Sequence, residues 1–137
     1  MQMKHELELA KKLACEAAEI LKSKFHNNSQ IISSEWKDIK TDADSASNEY
    51  ILEELGKTGI NIFSEESNNT PFDINNFQWI IDPLDGTLNF SRGFGISSVS
   101  IALWDKGKPI IGVIKHIFQD QLFYSHLGHG AWMNGKK

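Results

Sequence analysis

The chain has 137 residues, 40% of them hydrophobic and 23% charged, with a formal net charge of -4. This is the size of one ordinary domain with its own core, and the composition excludes disordered and collagen-like chains. No basic cluster is present, so nucleic acid and anionic membranes find no electrostatic footprint, and an anionic ligand would need a local device such as a metal.

The N-terminal stretch MQMKHELELAKK carries charges where a secretory signal needs an apolar segment, and nowhere does the sequence approach the ~20 apolar residues of a membrane span. A cytoplasmic location is expected. From Glu6 to Phe25, the residues Leu7, Ala10, Leu13, Ala14, Ala17, Ala18, Leu21 and Phe25 recur every three or four positions and predict an amphipathic helix. The single cysteine, Cys15, falls within it. Without a disulfide partner it suits a reducing compartment and reads as a helix residue. Asn27-Asn28-Ser29 ends this helix, and a second runs from about Ala43 to Leu55 with Ala46, Tyr50, Ile51 and Leu55 on one face. Thr41 or Asp42 is placed to cap its first turn, and Gly56 and Gly59 to end it.

Beyond residue 59, short apolar runs separated by turn residues predict strands at Ile60 to Phe63, Gln78 to Ile81, Ser97 to Leu103, Pro109 to His116 and Leu122 to Ser125. Lys106-Gly107 is the expected hairpin turn, residues 67–76 have loop composition, and the close spacing of the strands predicts antiparallel pairing. The expected fold class is α+β, two N-terminal helices packed on a largely antiparallel sheet, with residues 1–137 forming one domain.

Chemistry concentrates in WIIDPLDGTLNF, residues 79–90. Asp82-Pro83-Leu84-Asp85 is good turn sequence, and alone it reads first as a turn. Yet Trp79 to Ile81 reads as a strand buried on both sides, so Asp82 would stand at the end of a sheet, where a carboxylate wants a cation. Pro83 ends the strand and bends the chain, so Asp82, Asp85 and the Leu84 carbonyl can face one space, an all-oxygen set that suits Mg²⁺. Gly86-Thr87-Leu88-Asn89-Phe90 could open a short helix whose N–H groups face a phosphate, with the Thr87 hydroxyl positioning a water.

Two more acidic clusters stand at element ends: Ser64-Glu65-Glu66-Ser67 after a strand, and Thr41-Asp42-Ala43-Asp44 at a helix start. Each alone reads as a solvated loop or a dipole-favoured first turn. The histidines, including His126-x-x-His129, read as ordinary surface or strand residues, and Gly93-x-Gly95 as a loop.

In this order the motifs resemble the inositol monophosphatase family of Mg²⁺-dependent, lithium-sensitive phosphatases. Ser64 to Ser67 is similar to its first motif, Asp82 to Phe90 to its second, Thr41 to Asp44 to its upstream Thr-x-x-Asp segment, and Gly128 to Gly135 to its Gly-x-Gly-Ala-x-x-Asn-Gly segment. The resemblance implies the N-terminal half of a layered αβαβα sugar-phosphatase fold, with the C-terminal domain beyond this chain. It implies that Glu65, Asp82, Asp85 and the Leu84 carbonyl ligate Mg²⁺, that Asp44 and Thr87 orient the attacking water, and that the Gly86 and Thr87 N–H groups hold phosphate. It implies Glu65, Asp44 and Thr87 as the catalytic set. The reaction implied is direct attack of a metal-activated water on the phosphate monoester of inositol or a similar small polyol, without a phosphoenzyme.

The chain departs from the family pattern in having Ser33 and Ser34 where a lysine often precedes the Thr-x-x-Asp segment, with Lys37 and Lys40 nearby. Two alternatives stay open. One is a related activity on a 3'(2'),5'-bisphosphate nucleotide, fructose 1,6-bisphosphate or histidinol phosphate. The other is a truncated, non-catalytic module that binds metal and assembles with a partner. An apolar sheet face or edge left uncovered favours self-association, a homodimer included.

Overall fold

The computed structural model of the chain describes residues 3–26, 31–35, 38–67 and 71–137. In chain order the elements are α1 (Lys4–His26), β1 (Ile31–Glu35), β2 (Asp38–Thr41), α2 (Asp42–Gly56), β3 (Asn61–Ser64), β4 (Gln78–Asp85), α3 (Thr87–Ser91), β5 (Ser98–Asp105), β6 (Lys108–His116), β7 (Leu122–His126) and β8 (Gly130–Met133). The architecture is α+β. No described helix is long and apolar enough to cross a membrane.

Helix α1 buries Ala10, Leu13, Ala14, Ala17, Ala18 and Leu21 completely. Four of these six are alanines, whose short side chains let the helix axis lie close to the sheet. Beneath it, Val99, Ile101 and Leu103 of β5 and Ile111 and Val113 of β6 alternate with outward-facing residues, as the two-residue period of a strand requires. The Asn27-Asn28-Ser29 stop signal lies outside the described residues. Helix α2 differs from expectation in its buried face, which is Ala43, Asp44, Ser47, Asn48, Ile51 and Leu55, whereas Ala46 and Tyr50 are only half-buried.

Six strands form one sheet in the order β3-β4-β5-β6-β7-β8, and β1 and β2 form a separate antiparallel hairpin. The pairs from β4 to β8 are antiparallel. The pair β3–β4 is parallel, in register from Asn61 opposite Gln78 to Ser64 opposite Ile81, which corrects the expectation drawn from close spacing. Parallel neighbours need a crossover, and residues 65–77 supply it. One positional consequence decides the rest of the structure: the C-terminal ends of β3 and β4 lie side by side. The hairpin turn at Lys106-Gly107 forms as expected, both residues taking the positive φ (47° and 80°) that a two-residue connection demands.

On the sheet face away from α1, Ile114, Phe123 and Met133 stand opposite one another across three strands and are 47%, 41% and 40% exposed. At the end of the sheet Asn134 accepts from Leu122 N–H (2.9 Å) and donates to Asp120 O (2.6 Å), so the Asn-Gly pair near the C-terminus is a clasp between β7 and β8.

Candidate active site

Strand β4 does not stop at Pro83. It runs to Asp85, and its pairing with β5 slips on the way: Asp82 faces Ser100 and Asp85 faces Ser98, so two residues of β4 oppose one of β5. This is a β-bulge, and a proline fits there because the position needs no ladder N–H. The bulge buries Pro83 and Leu84 and leaves Asp82 half-buried and Asp85 exposed. Asp82 Oδ1 accepts from Leu84 N–H at 3.2 Å, which closes the bend locally.

The parallel pairing then brings in the second acidic cluster. Glu65 N–H donates to Ile81 O at 3.0 Å, so the residue after β3 is held beside the residue before Asp82. Burial first, and then the charges of Glu65, Asp85 and, more weakly, Asp44, push the Asp82 carboxyl up to about 7, against the opposing pull of the Leu84 N–H bond. Three carboxylates from separate chain segments therefore act on a fourth. The donors are all oxygen, and the half-buried Asp82 is crowded by like charge that a cation would offset, so the chemistry of the set fits a hard divalent cation. Among the described residues, no three acidic, histidine or cysteine side chains are already closed to ligation distance.

The shift has a testable sign. An unfolded aspartate releases its proton near 3.8, whereas Asp82 in the fold holds its proton to about 7. Its contribution to stability is complete below about pH 4 and is lost as pH rises through 7. Metal-free Asp82→Asn protein, which cannot ionise there, is expected to match the native chain at pH 4 and to exceed it at pH 8. The gap should be on the order of 2 kcal/mol once solvent screening is allowed for, read from urea midpoints.

Thr41 caps α2, and Asp44 is the buried return arm of a capping box. Thr41 Oγ1 donates to Asp44 Oδ2 (2.7 Å) and accepts from Asp44 N–H (3.3 Å), and Thr41 N–H donates to Asp44 Oδ2 (2.9 Å). The other oxygen, Oδ1, accepts from Thr87 Oγ1 at 3.0 Å. Asp44 thus serves the helix with one oxygen and the site with the other. The Thr87 hydroxyl also lies 3.1 Å from Leu84 O, and its one proton serves one acceptor at a time. Thr41→Ala is expected to lower stability by about 1–2 kcal/mol, through the lost cap and the loss of one of the two donors to the buried Asp44 Oδ2, visible as an earlier urea midpoint.

Gly86 is the N-cap of α3, with φ 86° and ψ 38°, and no side chain caps the first turn. A Cβ there would sit 2.9 Å from Ile96 O and 3.2 Å from Ser97 Oγ, so the backbone of residues 96–97 lies flat against it. Ser97 Oγ donates to Gly86 O (3.0 Å), and Asn89 Nδ2 to Ile96 O (3.1 Å), which together pin the start of α3 to the loop before β5.

The site residues expected from sequence, Asp44, Glu65, Asp82, Leu84, Asp85, Gly86 and Thr87, therefore come from the start of α2, the ends of β3 and β4 and the start of α3. Lys37 lies outside the described residues, as do the side chains of Ser33, Ser34 and Lys40. Sequence reasoning missed Ser47, Asn48, Ser64 and Ser97. The first two could have been found at Ile51 minus four and minus three, on the buried face of α2. A cavity of about 310 Å³ lined by Lys4, Leu7, Tyr124, His126, His129 and Trp132 shares no residue with this cluster. The His126 and His129 rings stack there, with centroids 4.7 Å apart.

Known proteins resemble this chain in sequence and fold. Inositol monophosphatase 3 of Solanum lycopersicum is 34% identical over 138 residues, covering 95% of this chain and 50% of that protein. The fructose-1,6-bisphosphatase/inositol-1-monophosphatase of Aquifex aeolicus is 33% identical over 144 residues, covering 98% and 52%. The crystal structure of extragenic suppressor protein suhB from Bartonella henselae superposes with a TM-score of 0.89 at 30% identity, over 98% of this chain and 54% of that one. The chain spans about half the length of the curated relatives it matches. The sequence profile of the inositol monophosphatase family matches residues 2–137, and the chain belongs to that family.

Proposed function

We propose that residues 1–137 form the metal- and phosphate-binding part of a Mg²⁺-dependent phosphate monoester hydrolase acting on inositol monophosphate or a similar small polyol phosphate. The observation that carries this reading is the convergence of Glu65, Asp85 and Asp44 on the half-buried Asp82 at the adjacent ends of two parallel strands. Negative charge gathered this way disfavours itself unless a cation is shared.

Glu65, Asp82, Asp85 and the Leu84 carbonyl would hold Mg²⁺. When bound, the ion supplies positive charge that lowers the pKa of a water and stabilises charge on phosphoryl oxygens. The chain's own groups do the rest. Asp44 takes the Thr87 hydroxyl proton as a hydrogen bond, which leaves the Thr87 lone pairs to orient the attacking water. The N–H groups of Gly86 and Thr87, at a helix start without a side-chain cap, would face the phosphate, and the absence of a Cβ at Gly86 lets residues 96–97 pack against the turn that aims them. Buried Asp44 and Thr41 hold this assembly in register.

A second reading has an observation behind it: the Aquifex aeolicus relative is named for fructose 1,6-bisphosphate as well as inositol 1-phosphate, so a sugar bisphosphate belongs in the same test. Phosphate release from inositol 1-phosphate, fructose 1,6-bisphosphate and an adenosine bisphosphate, with and without Mg²⁺, decides between them. It is measured for residues 1–137 and for the reading frame extended to its next stop codon. Mg²⁺-dependent release from a polyol phosphate supports the proposal. Release from neither protein on any substrate favours a non-catalytic metal-binding module.

A further inference from the structure

Helix α2 presents an unusual buried face. Its C-terminal half buries Ile51 and Leu55, but its N-terminal half buries Asp44, Ser47 and Asn48, the last two being 0% and 8% exposed. Burying a hydroxyl and an amide is unfavourable unless each is hydrogen-bonded, and an apolar residue at either position would serve packing as well. Both are bonded, and to different halves of the acidic cluster.

Ser47 Oγ donates to Pro83 O at 2.7 Å, inside the bulge between Asp82 and Leu84. Asn48 Oδ1 accepts from Ser64 Oγ at 2.6 Å, and Ser64 Oγ in turn accepts from Glu66 N–H at 3.2 Å, inside the turn that carries Glu65. Asp44, three and four residues earlier on the same helical face, holds Thr87 at the start of α3. One rigid helix therefore grips, at consecutive positions along one stripe, the three chain segments that carry the acidic residues and the phosphate-facing N–H groups.

We propose that α2 is a positioning rail: Ser47 and Asn48 fix the separation of the Glu65 turn from the Asp82–Asp85 bulge, and thereby set the affinity of the cation site. This rests on the reading of those carboxylates as a Mg²⁺ site. These contacts from α2 add to the β3–β4 ladder and to the Glu65 N–H bond to Ile81 O in holding the Glu65 turn beside the Asp82–Asp85 bulge. Ser47 and Asn48 are buried and act through Pro83 and Ser64.

The test compares Ser47→Ala, Asn48→Leu, Asn48→Asp and Asp85→Asn in the full-length protein. Mn²⁺ uptake is followed by the electron paramagnetic resonance of the free ion and competed with Mg²⁺, and phosphate release is followed against Mg²⁺ concentration. Loss of an outer-shell partner weakens metal affinity about 10- to 100-fold, so Ser47→Ala and Asn48→Leu are expected to bind at least tenfold more weakly. Their turnover should recover when Mg²⁺ is raised. Asn48→Asp keeps the acceptor for Ser64 Oγ and should retain most of the affinity, which a purely structural role for the amide would not require. Should Asn48→Leu fail to fold, Ser47→Ala, which removes a single oxygen, decides alone. Native affinity in Ser47→Ala and Asn48→Leu, with affinity lost in Asp85→Asn, overturns the rail while keeping the cation site. Native affinity in Asp85→Asn as well overturns the site itself.

Discussion

Under the proposed function, Asp85→Asn is expected to reduce Mg²⁺-dependent phosphate release by about two to three orders of magnitude, the scale of removing one preorganised charge from a reacting centre. The melting temperature should hardly move, because Asp85 is exposed. The pairing of the two results matters. Asparagine keeps the shape and one carbonyl oxygen but lacks the negative charge, so an effect on turnover without one on stability isolates the charge. Turnover at the native rate in Asp85→Asn would remove the residue from the metal site.

Gly86→Ala is expected to damage fold and function together. The backbone at Gly86 is left-handed, which disfavours an L-residue by about 1–2 kcal/mol, and the new Cβ would lie 2.9 Å from a backbone oxygen that cannot rotate away. A loss of at least ~2 kcal/mol follows, roughly 6–8 °C in melting temperature for a domain of this size. Relief of the contact with Ile96 O also tilts the start of α3 and with it the N–H groups of Gly86 and Thr87. A variant that melts with the native chain and binds inorganic phosphate equally would contradict both the strain and the cradle.

The contrast between these two positions shows what was readable in the sequence. The Asp-Pro-Leu-Asp-Gly-Thr stretch is legible because its chemistry is contiguous: carboxylates, a proline and a glycine with positive φ follow one another along the chain. The long amphipathic helix and the Lys106-Gly107 hairpin are legible for the same reason, being local patterns with local causes. Pairing direction is not local. Nothing in Ile60 to Phe63 states whether it runs with or against Gln78 to Ile81, and spacing pointed the wrong way. Yet the parallel arrangement is what sets Glu65 beside Asp82, since an antiparallel pair would place them at opposite ends of the sheet.

The buried face of α2 was hidden by chemistry. Ser47 and Asn48 are polar, and polar residues on an amphipathic helix are assigned to solvent, so the stripe was drawn through Ala46 and Tyr50 instead. Tyr50 does find a role at the helix surface, where its hydroxyl donates to Glu16 and joins α2 to α1. The short strands β1, β2 and β8 escaped because Ile31–Glu35 and Asp38–Thr41 are largely polar, and Gly130–Met133 opens on a glycine.

Mn²⁺ titration of the full-length protein at pH 8, read from the resonance of the free ion, tests the cation site most directly. Saturable uptake that Mg²⁺ displaces, weakened at least tenfold by Asp82→Asn and again by Glu65→Gln, is the expected result. Uptake that is unchanged in both variants would contradict a shared cation at the ends of β3 and β4.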